Sequence, residues 1–270
     1  GMAPERPRPA VPTFRGAQHA SVLAADTADL LRTLARSERA TPFMALLAVF
    51  KAVLHARGGT TPVVVGTDVA SRGDERLAGV VGHFVNQLVL STDLSGEPTF
   101  RQLLRRVRES TLDAYAHQEL PFNTLVEALN PVRDPGRNPL FQTMLVLDAA
   151  PVPLPALPTL TMELLPAPLT AAPFDLSLLV AEEGGGFRCL WRYATDLFQA
   201  PTIAALAEQF EATAATAAAA PDEPLGALAA RLAAVQAERR RHELERLRGL
   251  RLQKLGALRS GRAEAPAAKP

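Results

Sequence analysis

The stretch that most constrains this chain runs from Thr41 to Arg57, where Phe43-Met44-Ala45-Leu46-Leu47-Ala48-Val49-Phe50 leaves almost no polar side at helical spacing. Thr41-Pro42 opens it with a capping hydroxyl and a proline at the first helical position, and Gly58-Gly59 ends it. A helix that is apolar all round is stable in water only inside a domain, so the remaining elements must enclose it. Directly after it, Val63-Val64-Val65 forms a β-branched run between Pro62 and Gly66, as expected of a strand buried on both faces. Buried helix beside buried strand is the grammar of an α/β fold.

The other elements follow the same logic. Leu30, Leu31 and Leu34 give a helix over Asp26 to Arg36, and a strand is predicted from Phe84 to Leu90. A long amphipathic helix spans Thr99 to His117, and a short one opens at Pro121. Beyond Pro139 strands dominate: Phe141 to Leu147, Leu160 to Leu165, Phe174 to Ala181 and Phe187 to Tyr193. The last two are joined by Glu182-Glu183-Gly184-Gly185-Gly186, a hairpin connection. Pro201 starts an alanine-rich helix to about Ala220, with Ile203, Leu206 and Phe210 on one apolar face. Residues 1–12 are rich in Pro and Arg and poor in apolar side chains, and read as a flexible linker before the main domain, residues 13–222.

Several function classes are excluded at this stage. A formal net charge of +1 gives no pull toward nucleic acid or a membrane surface. No apolar run approaches the roughly 18 to 20 residues a bilayer requires, so a cytoplasmic protein is expected. The one cysteine, Cys189, can form neither an internal disulfide nor a cysteine-based zinc site, and between Arg188 and Leu190 it reads as a small buried strand residue. Phosphate-cradle and dinucleotide glycine patterns are missing, and Gly184-Gly185-Gly186 lacks the lysine and the strand-to-helix context such a cradle needs. Neither a bound metal nor a soluble cofactor is expected.

Three segments carry more specific information. Val80-Val81-Gly82-His83-Phe84-Val85-Asn86-Gln87-Leu88 resembles the pattern Ile/Val-Gly-x-Phe-Val-Asn-Thr. His117-Gln118-Glu119-Leu120-Pro121-Phe122 resembles His-Gln-Asp-x-Pro-Phe, and Arg133-Asp134-Pro135-Gly136-Arg137-Asn138-Pro139-Leu140 resembles Arg-Asp-x-Ser-Arg-Asn-Pro-Leu. In this order the three are similar to the condensation domains of nonribosomal peptide synthetases, with support from Val64-Val65-Gly66-Thr67, Phe174-Asp175-Leu176-Ser177-Leu178 and Tyr193-Ala194-Thr195-Asp196-Leu197-Phe198. Gln87, Glu119 and Gly136 stand where the pattern has Thr, Asp and Ser.

The resemblance implies the C-terminal half of a chloramphenicol-acetyltransferase-like fold, a mixed sheet with packed helices. It implies substrates carried on the phosphopantetheine of peptidyl carrier proteins, and partners that include the N-terminal lobe or an adjacent synthetase or tailoring domain. Gly82, Phe84, Asn86, His117, Gln118, Pro121, Phe122, Arg133, Asp134, Asn138 and Asp175 are expected to form the motif region and tunnel wall. The family's catalytic segment, His-His-x-x-x-Asp-Gly, is missing from this sequence, whose histidines 19, 55, 83, 117 and 242 are isolated. No catalytic residue is therefore assigned. In the family the aspartate of that segment pairs with an arginine resembling Arg137, a contact between lobes; alternatively Arg137 faces water or Asp134. Asp175 either faces the tunnel or lies at an edge.

His55 and His117 fall at helix C-termini, where an imidazole meets the helix dipole favourably, and both read as structural, as does His83 before its strand. From Leu225 to Leu258 a final helical segment carries leucines among Arg239 to Arg241, Arg246, Arg248 and Arg251. Residues 223–260 are thus read as an amphipathic basic tail and 261–270 as disordered linker. The tail is either a solvated linker helix or a docking helix for an acidic partner. Three readings remain: a lobe that shares in amide-bond formation but is not catalytic alone, a non-catalytic module recruiting a carrier protein or tailoring enzyme, or a non-functional truncated fragment.

Overall fold

Edge strand β1 (Gly16–Leu23) leads into helices α1 (Ala25–Ser37) and α2 (Pro42–Gly58) in the computed structural model, which describes residues 2–70, 76, 79–148, 159–160, 162, 170–231 and 233–234. Strands β2 (Val63–Ala70) and β3 (Val85–Thr92) follow, then α3 (Phe100–Ala116), α4 (Phe122–Leu129), β4 (Thr143–Asp148), β5 (Leu176–Glu183), β6 (Gly186–Ala194) and α5 (Ala200–Ala219). The strands form one six-stranded sheet in the order β1-β6-β5-β4-β2-β3. Pairing is parallel for β2–β4 and β4–β5 and antiparallel elsewhere, so the expected mixed α/β sheet is present.

Helix α2 is buried from Phe43 to Leu54, as its composition requires. The Thr41 hydroxyl caps it by accepting from the Met44 N–H. It packs between α1, α3 and α5 and onto β2. Its Phe50 meets Trp191 of β6 edge-on, with ring centroids 6.0 Å apart, and Trp191 meets Phe210 of α5 at 5.4 Å. These aromatic contacts join both layers at the centre of the core. Lys51 also lies in this core with no exposed surface, its Nζ donating to the Leu90 carbonyl at 2.9 Å and to Thr92 Oγ1 at 2.6 Å.

The β5–β6 hairpin closes through Gly184 and Gly185, at φ +57° and +82°, between paired Glu183 and Gly186. Two successive positive φ values define the tight turn whose twist matches the strands, and glycine adopts them without strain. Strand β1 has no counterpart in the sequence pattern: Gly16 to Leu23 has little β-branched character, and its pairing with β6 from Gly16↔Ala194 to Leu23↔Phe187 supplies the stabilisation that local propensity lacks.

Composition makes residues 1–12 a flexible linker, and here the structure differs. The Glu5 and Arg6 amides donate to the Leu197 carbonyl at 3.1 and 3.4 Å, Arg6 Nη1 donates to the Thr195 carbonyl, and the Gln199 amide donates to Glu5. Thr13 donates from its amide and hydroxyl to Asp196. Polar groups of the body, not apolar burial, hold this segment, which is why its composition conceals it.

The chain up to Leu228 forms one compact unit, and a second unit starts at Ala229. Residues 225–231 and 233–234 are helical, and the rest of the expected basic tail, with the 261–270 linker, lies outside the described residues. The strand expected over Leu160 to Leu165 also lies outside them, apart from residues 160 and 162. No single helix among the described residues is long and apolar enough to cross a membrane.

Candidate functional site

The first two motifs are stitched together by one side chain. Asn86, on edge strand β3, donates from Nδ2 to the carbonyls of Gln118 and Leu120 at 2.9 and 2.8 Å, and its Oδ1 accepts from the Phe122 N–H at 3.0 Å. The α3–α4 turn thus closes on β3. His117 caps α3, with Nδ1 3.0 Å from the Asp113 carbonyl, and Pro121 precedes α4 in extended conformation. Gly82, His117, Gln118 and Pro121 are exposed, and Phe84 and Phe122 are partly buried. His83 joins Asp68, Asn86, Gln87, Phe122 and Asn123 around a cavity of about 460 Å³. Burial raises the pKa of Asp68 there, against the hydrogen bond from Gln87.

The third motif is a turn closed on itself. Asp134 Oδ1 accepts from the Gly136 N–H at 2.8 Å, and the Asp134 carbonyl accepts from the Arg137 N–H at 3.0 Å. Asn138 Nδ2 reaches the Pro173 carbonyl at 3.1 Å, and Gln142 Nε2 returns to the Asn138 carbonyl at 2.7 Å. Phe141 then lies over Gly66 of β2, where a methyl group would overlap its ring. The same ring stacks on Phe174 at 5.3 Å and meets Phe122 edge-on at 5.7 Å. One aromatic cluster therefore links α4, the stretch between the 133–139 loop and β4, and the segment before β5.

Arg133 and Arg137 are exposed and line a groove of about 370 Å³ with Val126, Asp134 and Pro139. Of the two expectations for Arg137, the chain itself displays the second: Nε lies 3.2 Å from Asp134 Oδ2, and both side chains are about half exposed, 55% and 48%.

Asp175 lies immediately before β5, not on the strand predicted to carry it. It forms a largely buried ion pair with Arg8, a residue that no motif singles out. Arg8 also donates to the Gly136 carbonyl. The pair lies 167 positions apart in sequence, and no local pattern announces it. With Phe14, Arg137, Asn138, Gln142 and Asp196 it surrounds a cavity of about 190 Å³.

Among the described residues the arrangement offers binding groups and no base-nucleophile pair. His55 and His117 each direct a ring nitrogen at a backbone carbonyl. Burial pushes the Cys189 thiol up to about 12, far from the thiolate that reactivity needs. No group of His, Cys, Asp and Glu suited to a metal ion occurs among the described residues.

Comparison with known proteins accords with this geometry. The condensation-domain family model matches residues 2–237. The chain is 42% identical over 210 residues to a linear gramicidin synthase of Brevibacillus parabrevis, covering 76% of this chain and 3% of that protein. Among solved structures it resembles the X-domain in its complex with OxyB from teicoplanin biosynthesis, with TM-score 0.78 and 27% identity over 84% of this chain and 51% of that one. It also resembles a four-domain nonribosomal peptide synthetase bound to AMP and glycine, with TM-score 0.77 and 26% identity over 83% of this chain and 18% of that one. The chain spans only a small part of the synthetases it matches.

Proposed function

The chain belongs to the condensation-domain family, and from that premise we propose that it serves as the C-terminal lobe of a nonribosomal peptide synthetase condensation domain, in the cytoplasm. In the reaction the acceptor's amine attacks the carbonyl carbon of the donor thioester. The new C–N bond forms, the C–S bond breaks, and the amine's proton ends on the released phosphopantetheine thiol. This lobe contributes one wall of the tunnel and part of the carrier-protein docking surface. A proton must be taken up as nitrogen attacks, and the base for it is assigned to a His-His-x-x-x-Asp-Gly segment, which this sequence does not contain.

The observation that supports the reading is the interlocking of the motif region: Asn86 ties the first motif to the second, and the Phe122–Phe141–Phe174 cluster ties the second to the residue that directly follows the third. The test is a condensation assay with two loaded carrier proteins, run with this chain alone and with a histidine-bearing lobe added. Amide product only in the second case is expected; product from this chain alone would overturn the assignment.

The likeness to the X-domain that forms a complex with OxyB favours a second reading, a non-catalytic module that recruits a carrier protein or tailoring enzyme. Under that reading the lobe binds carrier protein in a titration without a second lobe, and deletion of residues 232–270 abolishes the binding.

A further inference from the structure

Arg8 holds oxygen atoms from two distant segments at once. Its Nη1 donates to the Gly136 carbonyl at 2.8 Å and to Asp175 Oδ1 at 2.9 Å, while Nη2 donates to Asp175 Oδ2. A planar fork with fixed donors on two nitrogens holds both carboxylate oxygens and the carbonyl in one geometry; an ammonium donates from a single nitrogen and cannot reproduce that bidentate arrangement. The two side chains are 16% and 13% exposed. The hydrogen bond to Asp175 raises the pKa of Arg8 against the opposing effect of burial, so the guanidinium stays charged.

The Gly136 carbonyl belongs to the same peptide group as the Arg137 N–H. That group is planar, so holding both ends fixes its orientation. Arg8 holds the oxygen, and the Asp134 carbonyl holds the N–H at 3.0 Å. A Cβ on residue 136 would stand 3.1 Å from Arg8 Cδ, so the loop also rests on the arginine stem. The backbone from which Arg137 projects is thereby set from across the chain, while the Arg137 side chain stays half exposed.

We propose that Arg8 is a positioning residue for Arg137: by clamping the 136–137 peptide against Asp175 it presents the Arg137 guanidinium in a fixed place to an acidic group of the histidine-bearing segment. This rests on the reading of Arg137 as a lobe-to-lobe contact. The N-terminal segment keeps its separate attachments at Glu5, Arg6 and Thr13, so loss of the Arg8 side chain loosens the 133–139 loop without releasing the segment.

The test uses the full chain with Arg8→Lys and Arg8→Ala, and Asp175→Asn if the alanine variant fails to fold. Amide hydrogen exchange at Arg137 is expected to quicken at least tenfold in both Arg8 variants, lysine being no substitute, while β4 and β5 amides keep their rates. Millimolar methylguanidine is expected to restore slow exchange in Arg8→Ala. With a histidine-bearing lobe supplied, condensation kcat is expected to fall about tenfold at unchanged KM for the loaded carriers, with no further loss on adding Arg137→Ala. Unchanged exchange at Arg137 overturns the proposal, as does full condensation activity in Arg8→Ala when Arg137→Ala is impaired. Faster exchange with both variants fully active would instead refute the lobe contact of Arg137, leaving the clamp on the loop intact.

Discussion

Lys51 makes the stability of this protein depend on alkaline pH, and Lys51→Met should reverse its effect across the range. The side chain has no exposed surface, and burial lowers its pKa from 10.5 to about 7. In the unfolded chain the amine titrates near its ordinary value, so between about 7 and 10.5 the unfolded state binds more protons than the folded one. Stability therefore rises with pH through that window and levels off on either side. The displacement corresponds to about 5 kcal/mol at roughly 1.4 kcal/mol per pH unit, an upper bound because charged interiors relax.

Methionine removes this penalty but orphans the Leu90 carbonyl, which costs about 1–3 kcal/mol. Thr92 keeps a partner in Ser110, 3.1 Å away. At pH 6 the substitution should stabilise by about 2–4 kcal/mol, the charge penalty less the orphaned carbonyl. At pH 9 the remaining charge penalty is about 2 kcal/mol, close to the cost of the carbonyl, and the two proteins should match. Above pH 10.5 the variant should be the weaker by about 1–3 kcal/mol. Urea unfolding of both proteins from pH 6 to 11 reads the difference directly and cancels every other titrating group. A difference that stays constant with pH would show that Lys51 keeps its ordinary pKa and that the buried-charge argument fails.

Three further perturbations test the packing around the motifs. Gly66→Ala pushes a methyl into the Phe141 ring, which Phe122 and Phe174 hold in place, and should destabilise by about 2–3 kcal/mol in urea; Phe141→Leu in the same background should recover part of that loss. Asn86→Ala removes three hydrogen bonds to the α3–α4 turn and should cost about 2–3 kcal/mol, with exchange at the Phe122 amide accelerated more than at α3 amides. Glu38, almost buried, accepts from Arg105 and Arg101 at 2.6 Å each, and the Arg105 hydrogen bond leads in lowering its pKa. Its contribution is complete above the ordinary carboxylate pKa of 4.5 and is lost as pH falls through the lower folded value. Glu38→Gln should thus cost about 1–2 kcal/mol at pH 7, with the two unfolding curves converging in acid.

What can be read from the sequence is what local pattern encodes. The apolar belt of α2, the capping hydroxyl of Thr41 and the Gly184-Gly185 turn each carry their own structural signal, and each element forms where expected. Strand β1 and the docked N-terminal segment carry none, because pairing with β6 and hydrogen bonds to Thr195, Asp196 and Leu197 stabilise them from residues far along the chain. The Arg8–Asp175 pair is hidden for the same reason. Lys51 is hidden because a lysine in an apolar helix reads as a solvent-facing residue until the edge of β3 is known to meet it.

The motif residues divide by what their side chains touch. Asn86, Asp134 and Asn138 use their polar atoms largely on the protein's own backbone, closing turns and joining segments. Gly136, where the resembling pattern has serine, suits a position crowded by the Arg8 stem and by Asp134 Oδ1 at 3.2 Å from a Cβ. Those polar atoms are spent on holding the fold. The exposed arginines of the motifs are Arg133 and Arg137, on the loop that Arg8 clamps, and both border the same groove. A surface arginine that is half paired to an exposed aspartate loses little when it exchanges that partner for another carboxylate. Two exposed arginines on the rim of one groove are therefore available to pair with an acidic surface at little cost, whereas the asparagines of the motifs are committed to the fold.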